Sequence, residues 1–166
     1  MDLNLKPATE SDFEDYYEIR SGKGDIYWNG YTEKPQKESF RELFLNRLGN
    51  ARFEKTEDRR IYIVRLNDEE GAYSIGFIQL IKRDDGIDIG YTISESFQRR
   101  GYATEALKQA IDLARLLDER IYVQIRDDNI ASQGVALKCG FIKTEEYETR
   151  NYPQAGEQKL RKYRLV

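Results

Sequence analysis

The hydrophobic positions of this chain recur with two different periods, and the predicted elements follow from them. Leu3 and Leu5 alternate with polar neighbours up to Pro7, the pattern of a short strand. Thr9 with Asp12 three residues on is a capping-box signature. It opens a helix through Phe13, Tyr16, Tyr17 and Ile19 that stops in residues 21–24. Residues 25–35 hold Tyr27, Trp28 and Tyr31 without a regular period and read as irregular chain. Phe40, Leu43, Phe44 and Leu48 then return at helical spacing, and Gly49 and Asn50 end that second helix.

From Arg60 the period shortens to that of a strand, with Ile61 and Ile63 set against Tyr62, Val64 and Leu66. An acidic turn at 67–71 follows, then the nearly continuous apolar run 73–81, which predicts a buried strand. The turn 83–86 leads to a third strand at 87–94. Such short connections predict an antiparallel meander. Ala103, Ala106, Leu107, Ala110, Ala114 and Leu117 mark a helix over 101–117 with a narrow stripe of small residues, suited to close packing on a sheet. Ile121, Val123 and Ile125 form a fifth strand. Residues 127–129 cap a short helix ending at Gly140, and strands at 141–147 and 158–166 pair antiparallel. No repeat, linker or low-complexity segment interrupts the pattern, so residues 1–166 read as one mixed α+β domain.

Composition narrows the chemistry. Acids and bases are interspersed and the net charge is only −3, which argues against a protein built to grip nucleic acid or an anionic membrane. No apolar run approaches a membrane span, and the N-terminal residues have neither signal- nor transit-peptide character. A single cysteine fits a reducing, cytoplasmic setting. The chain has no histidine. That removes Ser-His and Cys-His nucleophile pairs, histidine-based zinc sites and histidine general bases together, and no metal site is expected.

One stretch stands out as a ligand site. Around residues 90–114 a strand runs into the turn Gln98-Arg99-Arg100-Gly101-Tyr102-Ala103 and then into the alanine-striped helix. A helix N-terminus presents unpaired N–H groups and the positive end of its dipole, and two arginines add full charge. The turn is neither the three-glycine dinucleotide fingerprint nor a nucleoside-triphosphate loop. Taken alone it is also compatible with an ordinary solvated turn.

About thirty residues later come Asn129-Ile130-Ala131-Ser132 and then Gly140-Phe141. The Gln-x-x-Gly-x-Ala turn, the Asn-x-x-Ser segment and the Gly-Phe pair, in this order, resemble the GNAT superfamily of acyl-CoA-dependent N-acyltransferases. The wording of residues 89–107 is most similar to the branch that includes ribosomal-protein alanine N-acetyltransferases. The resemblance implies a mostly antiparallel sheet of six to seven strands with about four flanking helices, and a splayed parallel strand pair as the acyl-CoA cleft. It implies transfer of an acetyl group from acetyl-CoA to a small-molecule or peptide amine by direct attack in a ternary complex. It also implies cofactor contacts from Tyr91, Thr92 and Ile93 to pantetheine, from Gln98, Arg99, Arg100, Gly101, Tyr102, Ala103 and Thr104 to pyrophosphate, and from Asn129 and Ser132 at the pantetheine end. For Asn129 a plain helix N-cap is an equal alternative.

An amine acceptor is protonated at neutral pH and needs a base. Asp88, out of step with Ile87, Ile89 and Ile93, is the favoured one, and its position resembles that of the catalytic carboxylate in some members. Glu146 and Glu148 are the fallback. Many members carry an acidic tyrosine five residues before the phenylalanine of Gly-Phe; here that position is Ala136, and Ser132 is the substitute expected to act as acid. Tyr27, Trp28 and Tyr31 read either as an acceptor wall or as packing, and Cys139 as packing. A non-catalytic acyl-CoA sensor is the alternative function, and either a monomer or a homodimer fits the pattern.

Overall fold

The computed structural model describes residues 2–166. Seven strands form one sheet in the order β1-β2-β3-β4-β5-β7-β6. They are β1 (Asp2–Pro7), β2 (Arg59–Asp68), β3 (Gly71–Arg83), β4 (Gly86–Ile93), β5 (Ile121–Arg126), β6 (Phe141–Tyr152) and β7 (Gly156–Leu165). The helices are α1 (Phe13–Arg20), α2 (Lys23–Trp28), α3 (Lys37–Gly49), α4 (Tyr102–Arg115) and α5 (Ile130–Lys138). All strand pairs are antiparallel except β4 with β5. The meander β2-β3-β4 arises from short turns; in the first, the Asp68 carboxylate accepts the N–H groups of Glu70 and Gly71 at 2.8 and 3.1 Å. The long crossover through α4 returns the chain parallel to β4.

Side-chain alternation gives the sheet two apolar faces. On one, Val64, Leu66, Ile78, Leu80, Ile87 and Ile89 meet Ala106, Leu107, Ala110 and Ala114 of α4. The alanine stripe lets the helix axis approach closely. On the other, Ile61, Ile63 and Phe77 meet Phe13, Tyr16 and Ile19 of α1 and Phe44 of α3. Burying each of these large side chains stabilises the fold by about 1.5–3 kcal/mol.

Several details differ from the sequence reading. The described residues form five α-helices rather than about four, because Lys23–Trp28 forms α2 inside the aromatic stretch that lacked a period. It is too short to show one. The stop expected after α1 is only a brief break between two helices. Leu43 faces solvent, and Leu45 joins Leu48 at the core side of α3. β6 continues to Tyr152, past the expected end at 147, with a register irregularity between Lys143 and Tyr147. Among the described residues no helix is long and apolar enough to cross a membrane.

Candidate active site

The parallel pair β4/β5 is joined at only two positions, Ile87↔Ile121 and Asp88↔Tyr122. Beyond them β4 keeps β3 as its partner and β5 keeps β7. The two strands therefore splay, and backbone groups of β4 that face β5 lose their ladder partners. Gly86 sets the closed end of this V. Its φ is +132°, and a Cβ there would lie 2.3 Å from the Arg120 carbonyl oxygen. The neighbouring Ile87 N–H donates to that same oxygen at 2.8 Å. Only glycine allows the approach.

At the open end, one 3-10 turn (Glu95–Phe97) leads from β4 into the arginine turn. Gln98 donates its side-chain amide to the Ile93 carbonyl at 2.8 Å, so it ties the turn to the strand end. Arg99 and Gly101 both have positive φ, 63° and 85°. Among the described residues no side chain caps α4, and the N–H groups of Ala103 and Thr104 are aimed out of the helix start beside the exposed Arg99 and Arg100. The Arg100 guanidinium lies over the Phe97 ring.

α5 closes the α4 face of the V. Asn129 is its N-cap, accepting the Ser132 N–H at 3.1 Å. Tyr91 reaches across from β4, and its hydroxyl lies 2.8 Å from Ser132 Oγ and donates to the Ser132 carbonyl at 2.9 Å. Burial pushes the Tyr91 phenol well above its usual range, so it keeps its proton. Ala136, one turn further along α5, is fully buried. Cys139 packs with its thiol against the Thr104 carbonyl, and burial pushes that thiol up as well.

The opposite face carries Asp88, Gly90 and Thr92. Asp88 is buried; its carboxylate accepts from Gln124 Nε2 at 2.9 Å and from Arg83 Nη2 at 3.4 Å. Burial raises its pKa, and the amide and guanidinium oppose the rise without cancelling it. Arg83, less deeply buried, is held charged by Asp88 and Glu57, so the burial of Asp88 decides the balance of the pair. Thr92 Oγ1 donates to Asp25 at 3.2 Å, and Asp25 pairs with Arg20 at 3.0 Å. Burial raises Asp25 too, against the Arg20 charge. Between these carboxylates Gly90 leaves a recess, where an added Cβ would meet only Gln79 Cβ, at 3.9 Å. An open groove of about 850 Å³ runs from Gln124 and Tyr122 past Lys162 to Glu146 and Glu148.

Of the anticipated acceptor residues, Tyr27 and Trp28 come together but Tyr31 does not. The first two clamp the buried Arg126 guanidinium, 5.0 and 4.6 Å from its carbon, with Tyr152 at 4.3 Å on the same group. Tyr31 is exposed; its carbonyl accepts from Gln154 and its N–H donates to the Ile26 carbonyl. Tyr27 and Trp28 thus take part in the packing of α2 on β5. Glu146 is drawn to Arg164 and Lys162, and Glu148 to Arg150. Sequence reasoning missed Asp25, Arg83, Gln124 and Arg126. Only the last two left a signal: with Tyr122 they make the non-apolar face of the β5 strand. Among the described residues no group of three or more carboxylates and thiols could hold a metal.

Both the sequence and the fold are shared with known proteins. Residues 2–142 match the family described as Acetyltransferase (GNAT) domain. The chain belongs to this family. It is 31% identical over 114 residues to the uncharacterized N-acetyltransferase YjdG of Bacillus subtilis (strain 168). That match covers 66% of this chain and 65% of YjdG, a little under two thirds of the relative's length. In fold the chain is similar to a spermidine N-acetyltransferase from Vibrio cholerae in complex with CoA and spermine. The TM-score is 0.80 at 17% identity, over 98% of this chain and 94% of that one. An aminoglycoside acetyltransferase in complex with coenzyme A gives a TM-score of 0.73 at 20% identity, over 97% and 94%.

Proposed function

We propose that this GNAT chain, as one domain, transfers an acetyl group from acetyl-CoA to a primary amine by direct attack within a ternary complex. The observation that carries the reading is the β4/β5 V, closed beside a buried carboxylate and open at an uncapped helix start. Acetyl-CoA supplies the activated acyl group. Its pantetheine arm fits between the strands, where Tyr91 and Ile93, in step with Ile87, turn backbone groups toward the side that β5 no longer engages, with Thr92 between them. The pyrophosphate fits the turn from Gln98 to Thr104, with Arg99 and Arg100 as counter-charges. Asn129 acts mainly by capping α5 and so places Ser132.

The acceptor enters from the opposite face, over Gly90. Asp88 takes the ammonium proton. A carboxyl raised by burial is a better base near neutral pH than an exposed one, and Arg83 and Gln124 hold its orientation. A backbone N–H of β4 stabilises the charge that develops on the thioester oxygen. On the leaving side, Ser132 points a hydroxyl to the CoA sulfur, and Tyr91 positions it. When Ser132 turns its proton to the thiolate, the Tyr91 O–H 2.8 Å away can turn to Ser132 Oγ. A hydroxyl pair of this kind stabilises a thiolate by hydrogen bonding, which fits the position left without a phenol at Ala136. The branch that the sequence resembles acts on a protein N-terminus, so a peptide amine is one acceptor to test beside free small-molecule amines. Amine-dependent release of the CoA thiol tests the whole reading. If no amine releases thiol while acetyl-CoA binds, transfer is rejected in favour of sensing.

A further inference from the structure

The acceptor face holds one cation that the site has not yet accounted for. Arg59 on β2 pairs with Ile81, which pairs with Asp88, so the three share a face with the recess at Gly90 one row away. Arg59 Nη1 donates to Gln79 Oε1 at 2.8 Å, and Gln79 is the cross-strand partner of Gly90. The guanidinium therefore leans toward the recess.

Its electrostatic setting is unlike that of the other buried and half-buried arginines. Arg20, Arg83, Arg126 and Arg161 each have a carboxylate partner. Among the described residues no carboxylate lies within ion-pair distance of Arg59, whose Nη1 donates to the neutral Gln79 amide. The charged groups around it are Arg47, Arg83, Glu57 and Asp88. Arg83 already bridges Glu57 and Asp88, so the group carries one positive charge in excess and Arg59 is left without a carboxylate. Burial and the like charge of Arg47 push Arg59 down to about 10, whereas Arg20 and Arg83 are raised by their partners. A half-buried guanidinium with unused donors is an anion site whose anion must come from outside the chain.

We propose that Arg59 binds a carboxylate of the acceptor, so that the preferred substrate is an amino acid or other amino-carboxylate rather than a polycation. The inference rests on the acetyltransferase reading and gives its substrate class. The recess then complements both charges of such a molecule, with Asp88 facing the amine and Arg59 the carboxylate.

The test follows thiol release from acetyl-CoA with matched acceptors: lysine against 1,5-diaminopentane, tyrosine against tyramine, tryptophan against tryptamine. Acetyl-CoA binding is measured separately by the melting shift it causes. Turnover of at least one amino acid well above its decarboxylated amine is expected. Arg59→Gln should lower kcat/KM for that amino acid by ~30-fold or more, mainly through KM, with the amine unaffected. Arg59→Lys should restore part of it, and both variants should still show the acetyl-CoA shift, which reports folding. Equal or better turnover of the decarboxylated amines, no turnover of any amino acid, or an Arg59→Gln effect equal on both sets overturns the inference. Amine turnover alone would leave the transferase reading standing, whereas absence of both the melting shift and thiol release would remove that reading itself.

Discussion

Replacing Asp88 with asparagine should improve stability while it damages turnover. The side chain is almost fully enclosed, and its carboxylate has two partners, Gln124 at 2.9 Å and Arg83 at 3.4 Å. At an effective dielectric near 20 the Arg83 attraction is about 5 kcal/mol, but removing a carboxylate from water also costs several kcal/mol, and Arg83 is shared with Glu57. The outcome is a carboxyl raised above its ordinary value. A raised acid favours folding in its neutral form, so this contribution is complete below the unfolded value near ~3.9 and is lost as pH rises through the folded value. At pH 7–8 each unit of elevation costs the native state about 1.4 kcal/mol. Asparagine keeps the shape and removes that cost. Asp88→Asn should therefore melt no lower than the parent at pH 7–8, with a gain of roughly 2–4 °C per kcal/mol recovered, and the gain should fade toward pH 4. Its kcat should fall about 10²–10⁴-fold and lose its rise with pH. Calorimetry across pH and a pH–rate profile read both effects. A variant that melts lower at neutral pH yet keeps kcat and its pH dependence would show that Asp88 serves only to hold Arg83.

Two further substitutions separate binding from chemistry. Tyr91→Phe removes one hydroxyl and leaves two Ser132 oxygens short of a partner, which should cost about 1–2 kcal/mol of stability and lower kcat more than the KM for acetyl-CoA. The effect should be non-additive with Ser132→Ala in a double-mutant cycle; strict additivity would sever the two hydroxyls functionally. Gly86→Ala should cost about 2–4 kcal/mol and weaken acetyl-CoA binding, because the methyl meets the Arg120 carbonyl. Gly101→Ala, also at positive φ but facing open space, should cost only about 1 kcal/mol. Equal melting temperatures for these two variants would contradict the crowding argument at the closed end of the V.

Much of the scaffold was legible because its signals are local and periodic. The meander and the alanine-striped α4 both follow from spacing along the chain. What escaped depends on partners distant in sequence. Asp25 looked like one more acid at the head of an aromatic stretch, and only folding sets it against Arg20 and Thr92. Tyr27 and Trp28 read equally as a pocket wall or as packing, because their contact with Arg126, nearly a hundred positions later, leaves no mark in the sequence. Tyr91 was valued for its backbone, while its hydroxyl proved to be the neighbour of Ser132. Leu43 and Leu45 cannot be told apart by a helical period that tolerates either. The two-residue contact between β4 and β5 hinges on how closely Gly86 approaches Arg120, a distance that no pattern of residue types encodes.

The central claim is acetyl transfer from a cofactor held in the β4/β5 V to an amine arriving over Gly90. Thiol release from acetyl-CoA, followed with free amino acids, short peptides, polyamines and aminoglycosides as acceptors and checked by the mass of the product, tests it most directly. The predicted result is amine-dependent release with one acetyl group added to the acceptor, greatly reduced in Asp88→Asn. A melting shift with acetyl-CoA but no release with any acceptor would contradict it and leave a chain that binds the cofactor without using it.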